Sequence, residues 1–185
     1  MKDSYWKRFL YFEKRIISLE TYIAFDQSNF QVFSIEILNL YLSICSEIEA
    51  IYKEILDDKS EINFNVFKEQ FTNLENYSIL TNEVIINNNS ISFNPFITND
   101  EKLLDCKWWT EHNQIKHNRD DRFSDATLLR LMESLSALFL LNLYLYFEKY
   151  KQRDLAPIPN LLSCNKFYID NYIGGGGSRL FKFEK

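Results

Sequence analysis

The chain has 185 residues, 46% hydrophobic and 16% aromatic, with a formal charge of −5, which is ample apolar surface for one core and excludes a wholly disordered chain. All four glycines sit at Gly174–Gly177, so no P-loop, GxGxxG dinucleotide turn or GxSxG nucleophile elbow exists upstream of that run. Residues 1–100 carry 8 basic against 15 acidic side chains and residues 101–185 carry 13 against 11, which puts any phosphate-facing surface in the second half.

The first helix is predicted from Asp3 to about Phe25, because Trp6, Phe9, Leu10, Phe12, Ile16, Leu19 and Ile23 recur at helical spacing. After the polar break 26–29, a second long helix is expected from Phe30 to Leu56, with Phe33, Ile37, Leu40 or Tyr41, Ile44, Ile48, Ile51 and Ile55 inward. A shorter helix is expected over Asn65 to Leu74. Val84–Ile86 and Ile91–Phe93 flank an asparagine-rich turn and read as a hairpin inserted at about 78–97. Helical signal returns near Leu103 or Lys107 and runs through CKWWTEHNQIKHNR; Ser124 or Asp125 then caps a last helix reaching about Tyr150. Two β-prone segments, 166–173 and 178–183, surround the glycines, which are read as the flexible turn of a C-terminal hairpin. The fold class is therefore mainly α: an up-and-down helical bundle over 1–153 with a mid-chain β-hairpin, and a C-terminal β-hairpin appendage over 154–185.

Cys45, Cys106 and Cys164 are odd in number and make no CxxC or metal-spaced pattern, so they read as reduced thiols of a cytoplasmic protein. Charges interrupt the start MKDSYWKRFLYFEKR, which does not read as a signal peptide. The apolar run Leu135–Phe147 falls short of the roughly 20 residues of a membrane span and reads as a core helix, so no membrane is expected. No set resembles the zinc HExxH or di-iron ExxH patterns; neither metal nor cofactor is expected.

The densest run of chemistry-bearing residues is Trp108 to Arg122, which holds both histidines. On a helical wheel Trp108 and Ile115 face the core, while Trp109, Asn113, Lys116, His117 and Asp120 spread over roughly 100° of an adjacent face. His112 and Arg119 fall nearer the apolar seam. An imidazole beside a fixed cation and an amide is what metal-independent RNA cleavage needs. The imidazole takes the 2′-hydroxyl proton near pH 7, Lys116, Arg119 and Arg122 hold phosphate, Asn113 orients it, and Trp109 stacks a base. A solvated, ion-paired helix face is the competing reading. Glu36, Glu47 and Glu54 form a carboxylate row that either faces Lys116 or Arg119 or is itself solvated or ion-paired.

The segment Trp-Trp-x-x-His-Asn-x-x-Lys-His-x-Arg, between a hairpin ending in Asn94-Pro95-Phe96 and a Leu-rich last helix, resembles the HEPN superfamily over about residues 5–150. The upstream run Tyr41–Glu49 fits that bundle's other long helix. Many members carry Arg, a polar residue, about three more residues and then His. Asn113 and His117 match the polar and His positions, and His112 stands where the family has Arg. The resemblance implies RNA binding or metal-independent ribonuclease activity in a prokaryotic toxin–antitoxin or antiphage system, with catalytic His117, Asn113 and His112. It also implies a homodimer, and a protein partner encoded nearby. The missing Arg equally fits a catalytically inactive scaffold, sensor or inhibitory partner acting through protein contacts.

Overall fold

The computed structural model describes residues 4–57, 63–86, 91–97, 104–152, 154–165, 167–171 and 179–183. Five helices pack together: α1 (Ser4–Leu19), α2 (Ile35–Ile55), α3 (Phe64–Gln70), α4 (Lys107–His117) and α5 (Leu128–Tyr144). The fold is mainly α, with small antiparallel sheets beside the helices.

The predicted helices exist, and their ends shift for local reasons. α1 stops at Leu19 rather than near Phe25, since Glu20, Thr21 and Tyr22 are exposed and leave the next turn little to bury. α2 begins at Ile35 because the Ser34 hydroxyl accepts the Ile37 N–H at 3.1 Å, a strong N-cap arrangement. Phe33 therefore lies outside the helix and off its inner face; it is 46% exposed and bridges Thr127 backbone to backbone. Asn63 caps α3 through two backbone N–H groups. Thr127, not Ser124 or Asp125, caps α5; those two lie in the 3₁₀ turn Phe123–Asp125.

α5 is the axis of the fold, packed against α1, α2 and α4. From Ser134 to Tyr144 every residue is buried, and a π-helical turn, Leu145–Lys149, extends it. A helix can be buried all round only if its polar side chains find partners. Ser134 and Ser136 donate to the carbonyls of Leu131 and Met132, and Asn142 donates to that of Leu138. Over Leu128–Lys149 the helix is long and apolar enough to cross a membrane by length and composition, and 83% of its most apolar window is buried inside the protein.

β1 (Val84–Ile86) pairs with β2 (Ser92–Phe93), as the hairpin reading expects. β3 (Asp154–Leu155) and β4 (Leu162–Cys164) were not anticipated. β4 pairs antiparallel with the far edge of β1, Ile85 opposite Ser163. The buried Glu13 carboxylate of α1 helps to hold that segment, accepting the backbone N–H groups of Asn160, Leu161 and Leu162 at 3.0, 2.9 and 3.3 Å. Burial raises its pKa, against those hydrogen bonds, which lower it. β5 (Phe167–Asn171) and β6 (Arg179–Phe183) pair antiparallel, with β3 on the other side of β6. The link 172–178, with its glycines, lies outside the described residues. The three cysteines are buried and free.

Candidate functional site

α4 is a two-faced helix wedged among α2, α3 and α5. Trp108, Trp109, His112 and Ile115 are buried; Asn113, Gln114, Lys116 and His117 are exposed. Side-chain bonds fix its inner face. The Tyr41 hydroxyl donates to the Trp108 carbonyl, and the Trp108 indole N–H donates to the Pro95 carbonyl at 2.7 Å. Arg130 of α5 grips Glu111 of α4 through Nε and Nη2, the latter at 2.9 Å, and Glu133 through Nη1 at 2.8 Å. A forked guanidinium on two carboxylates sets the rotation of α4 about its axis.

That rotation corrects the helical-wheel placement of Trp109. Its ring is 8% exposed because α3 lies over it, with the Phe64 ring stacked at 4.4 Å. Stacking of a base on its open face is not what this arrangement offers. His112 is also buried, 5.0 Å from the Trp109 ring and edge-on to Tyr41 at 6.1 Å. Its Nδ1 has no partner among the described residues. Burial first, then the charge of Lys116, pushes its pKa down to about 4, so at neutral pH it is an uncharged ring. A neutral buried imidazole cannot clamp phosphate as Arg does.

The helix ends at His117, where Asn118 closes the last turn by donating to the Gln114 carbonyl at 3.0 Å. Arg119 and Asp120, both placed on the helical wheel, thus lie with Arg122 in the turn beyond α4. Arg122 is held by Asp125 at 3.0 Å. Arg119 lines a shallow depression of about 440 Å³ with Ile35, Leu38, Asn39, Asp120 and Phe123. Asn113 opens onto a different one, of about 400 Å³, between α2, α3 and α4. The structure therefore keeps Asn113, Lys116 and His117 together on one exposed face, removes Trp109 and His112 to the interior, and sets Arg119 beside a second hollow.

Among the arginines with described side chains, Arg8, Arg15, Arg122 and Arg130 each hold a carboxylate, and Arg119 alone does not. The α2 carboxylate row turns away from α4: Glu36 pairs with Arg15, Glu47 with Arg8, and Glu54 accepts from the Tyr150 hydroxyl at 2.9 Å. Among the described residues no three His, Cys, Asp or Glu side chains gather as a metal site would require. Lys68 and Asn65 of α3 also face the hollow below Asn113. Sequence spacing along α4 carries no signal for them, since they come from a distant segment.

Comparison of the chain with protein-family models, with curated proteins and with solved structures finds no match.

Proposed function

We propose that the protein is a HEPN-like helical bundle that binds RNA through the exposed face of α4 and the turn after it. In this reading His117 is the acid–base group of a metal-independent ribonuclease, Asn113 orients the phosphate, and Lys116 and Arg119 hold it. The observation that carries the reading is a set of polar side chains left uncommitted. Among the described residues Asn113, Lys116, His117 and Arg119 have no hydrogen-bond or ion-pair partner, although every other arginine with a described side chain is paired. Lys116 in the last turn of α4 and Arg119 just beyond the helix end are three residues apart, and cations without protein partners are the groups a polyanion site uses.

Two copies would pair to complete the site. The exposed Ile35 and Phe33, with Phe123 against Phe33 at 5.4 Å, make an apolar patch whose edge carries Arg119 and Asp120. Opposite charges side by side suit a two-fold interface, where each meets its complement on the other copy. The setting we propose is cytoplasmic, in a prokaryotic toxin–antitoxin or antiphage system, with a protein partner encoded nearby. A specific observation favours a second reading, a catalytically inactive scaffold: the position where the family carries Arg holds His112, buried and uncharged at neutral pH.

Incubating purified protein with structured and single-stranded RNA in EDTA separates these readings. Salt-sensitive binding with cleavage lost in His117→Ala supports the ribonuclease. Binding that His117→Ala leaves intact, with no cleavage by the wild type, supports the scaffold acting on RNA. If no RNA binds at low salt, RNA recognition is lost altogether.

A further inference from the structure

Residues 157–164 run along α1 to the edge of β1, and α1 holds them at two points. The Trp6 indole N–H donates to the Pro157 carbonyl at 2.9 Å, and the Glu13 carboxylate accepts the backbone N–H groups of Asn160, Leu161 and Leu162. The two holds lie about 10 Å apart along the helix axis, a distance that a few residues of extended chain span. The segment ends in β4, which lies on one edge of β1 while β2 holds the other.

The second hold has a built-in cost. The Glu13 side chain is 1% exposed, and among the described residues no charged side chain faces it: burial and its three N–H donors alone set its pKa, and burial prevails. A buried charge without a counter-charge is costly, and the same carboxylate in water is not. Closing the segment over Glu13 thus satisfies three backbone donors and strands a charge, so the two states of the segment lie closer in free energy than its packing alone would put them. Upstream, Lys151 sits at φ 52°, a left-handed conformation that costs a non-glycine residue energy. The chain therefore bends at a strained position shortly before it reaches α1. Neighbouring stretches of one fold can differ in this way in the free energy at which they open.

We propose that residues 157–164 are a strap that opens from the helical bundle as a unit, that Glu13 is its clasp, and that the charge on Glu13 sets how readily it opens. The inference is independent of the RNA reading. Opening bares the edge of Val84–Ile86 that β4 occupies, and a bare strand edge is a template for a strand from another chain. Because closing raises the pKa of Glu13, closure takes up a proton. The strap is tightest below the ordinary carboxylate range and loosens as pH rises through the raised value.

Two cysteines make the test internal: Cys164 lies on the strap, and Cys45 is fully buried in α2. Dithiodipyridine, which reacts with thiols even in mild acid, would label the full chain between about pH 4.5 and 7.5. Mass spectrometry would give the rate at each cysteine relative to its rate in denaturant at the same pH. Cys164 is expected to react at least about tenfold faster than Cys45. Glu13→Ala leaves three buried N–H groups without an acceptor and should speed Cys164 by a further factor of about ten, with Cys45 unchanged. The wild-type rate at Cys164 should rise with pH, and the uncharged Glu13→Gln should remove that rise. Equal rates at Cys164 and Cys45 in the wild type would mean that the segment opens only with the whole fold, which overturns the strap. Glu13→Ala that speeds both cysteines together, or neither, overturns the clasp. Wild type and Glu13→Gln with the same pH profile overturn the link to charge.

Discussion

α4 and α5 lie against each other and treat their polar residues in opposite ways. α5 buries Ser134, Ser136 and Asn142 and closes each on its own backbone, all three donating to carbonyls three or four residues back. α4 leaves Asn113, Gln114, Lys116 and His117 in water with their hydrogen-bonding capacity unused. Each helix also carries one buried atom without a partner among the described residues, His112 Nδ1 and Asn142 Oδ1. The comparison shows that polarity alone does not mark a site. A polar group that has already been paired by its own helix serves the fold; one held in place and left unpaired is available to a ligand.

The largest effect belongs to the inner face of α4. Trp108 is 2% exposed, and its N–H is bound to the Pro95 carbonyl. Trp108→Ala should cost about 3–5 kcal/mol, which urea denaturation would measure. Loss of under about 1 kcal/mol would mean that α4 is not anchored there, and its outward face would no longer be a fixed arrangement.

Next comes the buried imidazole. His112 titrates at about 4 in the folded protein, against about 6.5 in an unfolded chain. The unfolded state binds more protons between those values, so stability is full above the upper one and falls as pH drops through the window. The whole window is worth about 3 kcal/mol. Glu13 and Glu133 are held above their ordinary range by burial and titrate in the opposite sense. The difference between wild type and His112→Phe therefore isolates the histidine: the variant should lose less stability than wild type between neutral pH and the acid end of the window. Parallel curves would place His112 in water.

How far these features could be read from sequence depends on the range of the interaction that creates them. The stripes of α1, α2 and α5 are local repeats, and they mark buried residues such as Phe9, Ile44 and Leu138. The hairpin of β1 and β2 announces itself through β-branched residues and asparagines. β4 does not, because a three-residue strand has no period and is selected by the free edge of β1 and by Glu13. The outward set Asn113, Lys116 and His117 follows from helical spacing. Burial of Trp109 does not, because it depends on α3 folding across it. Arg119 and Asp120 have no place on the wheel, because Asn118 ends the helix before them, and periodicity along the sequence does not mark that end.

A smaller effect is expected in α5. Asn142 is fully buried, and one bond to Leu138 satisfies only its amide nitrogen. Replacing it with Leu, of similar shape, removes an acceptor that has lost its water. Asn142→Leu should therefore leave stability unchanged or raise it by about 1 kcal/mol, read from the denaturation midpoint. A loss of about 2 kcal/mol or more would reveal a partner for Oδ1, and the symmetry between the two unpaired atoms would fail.

The smallest effect on folding is the most informative about function. Lys116 is exposed and unpaired among the described residues, so Lys116→Ala should change stability by no more than about 0.5 kcal/mol. If it meets a phosphate, the same substitution weakens RNA binding across all sequences and lowers the slope of log affinity against log salt by about 1. Ser18 on α1, also exposed and bonded only to the Arg15 carbonyl, provides a matched control: Ser18→Ala should alter neither stability nor slope. An unchanged slope for Lys116→Ala would put this face of α4 among ordinary solvated surfaces, and the contrast with α5 would then be one of burial alone.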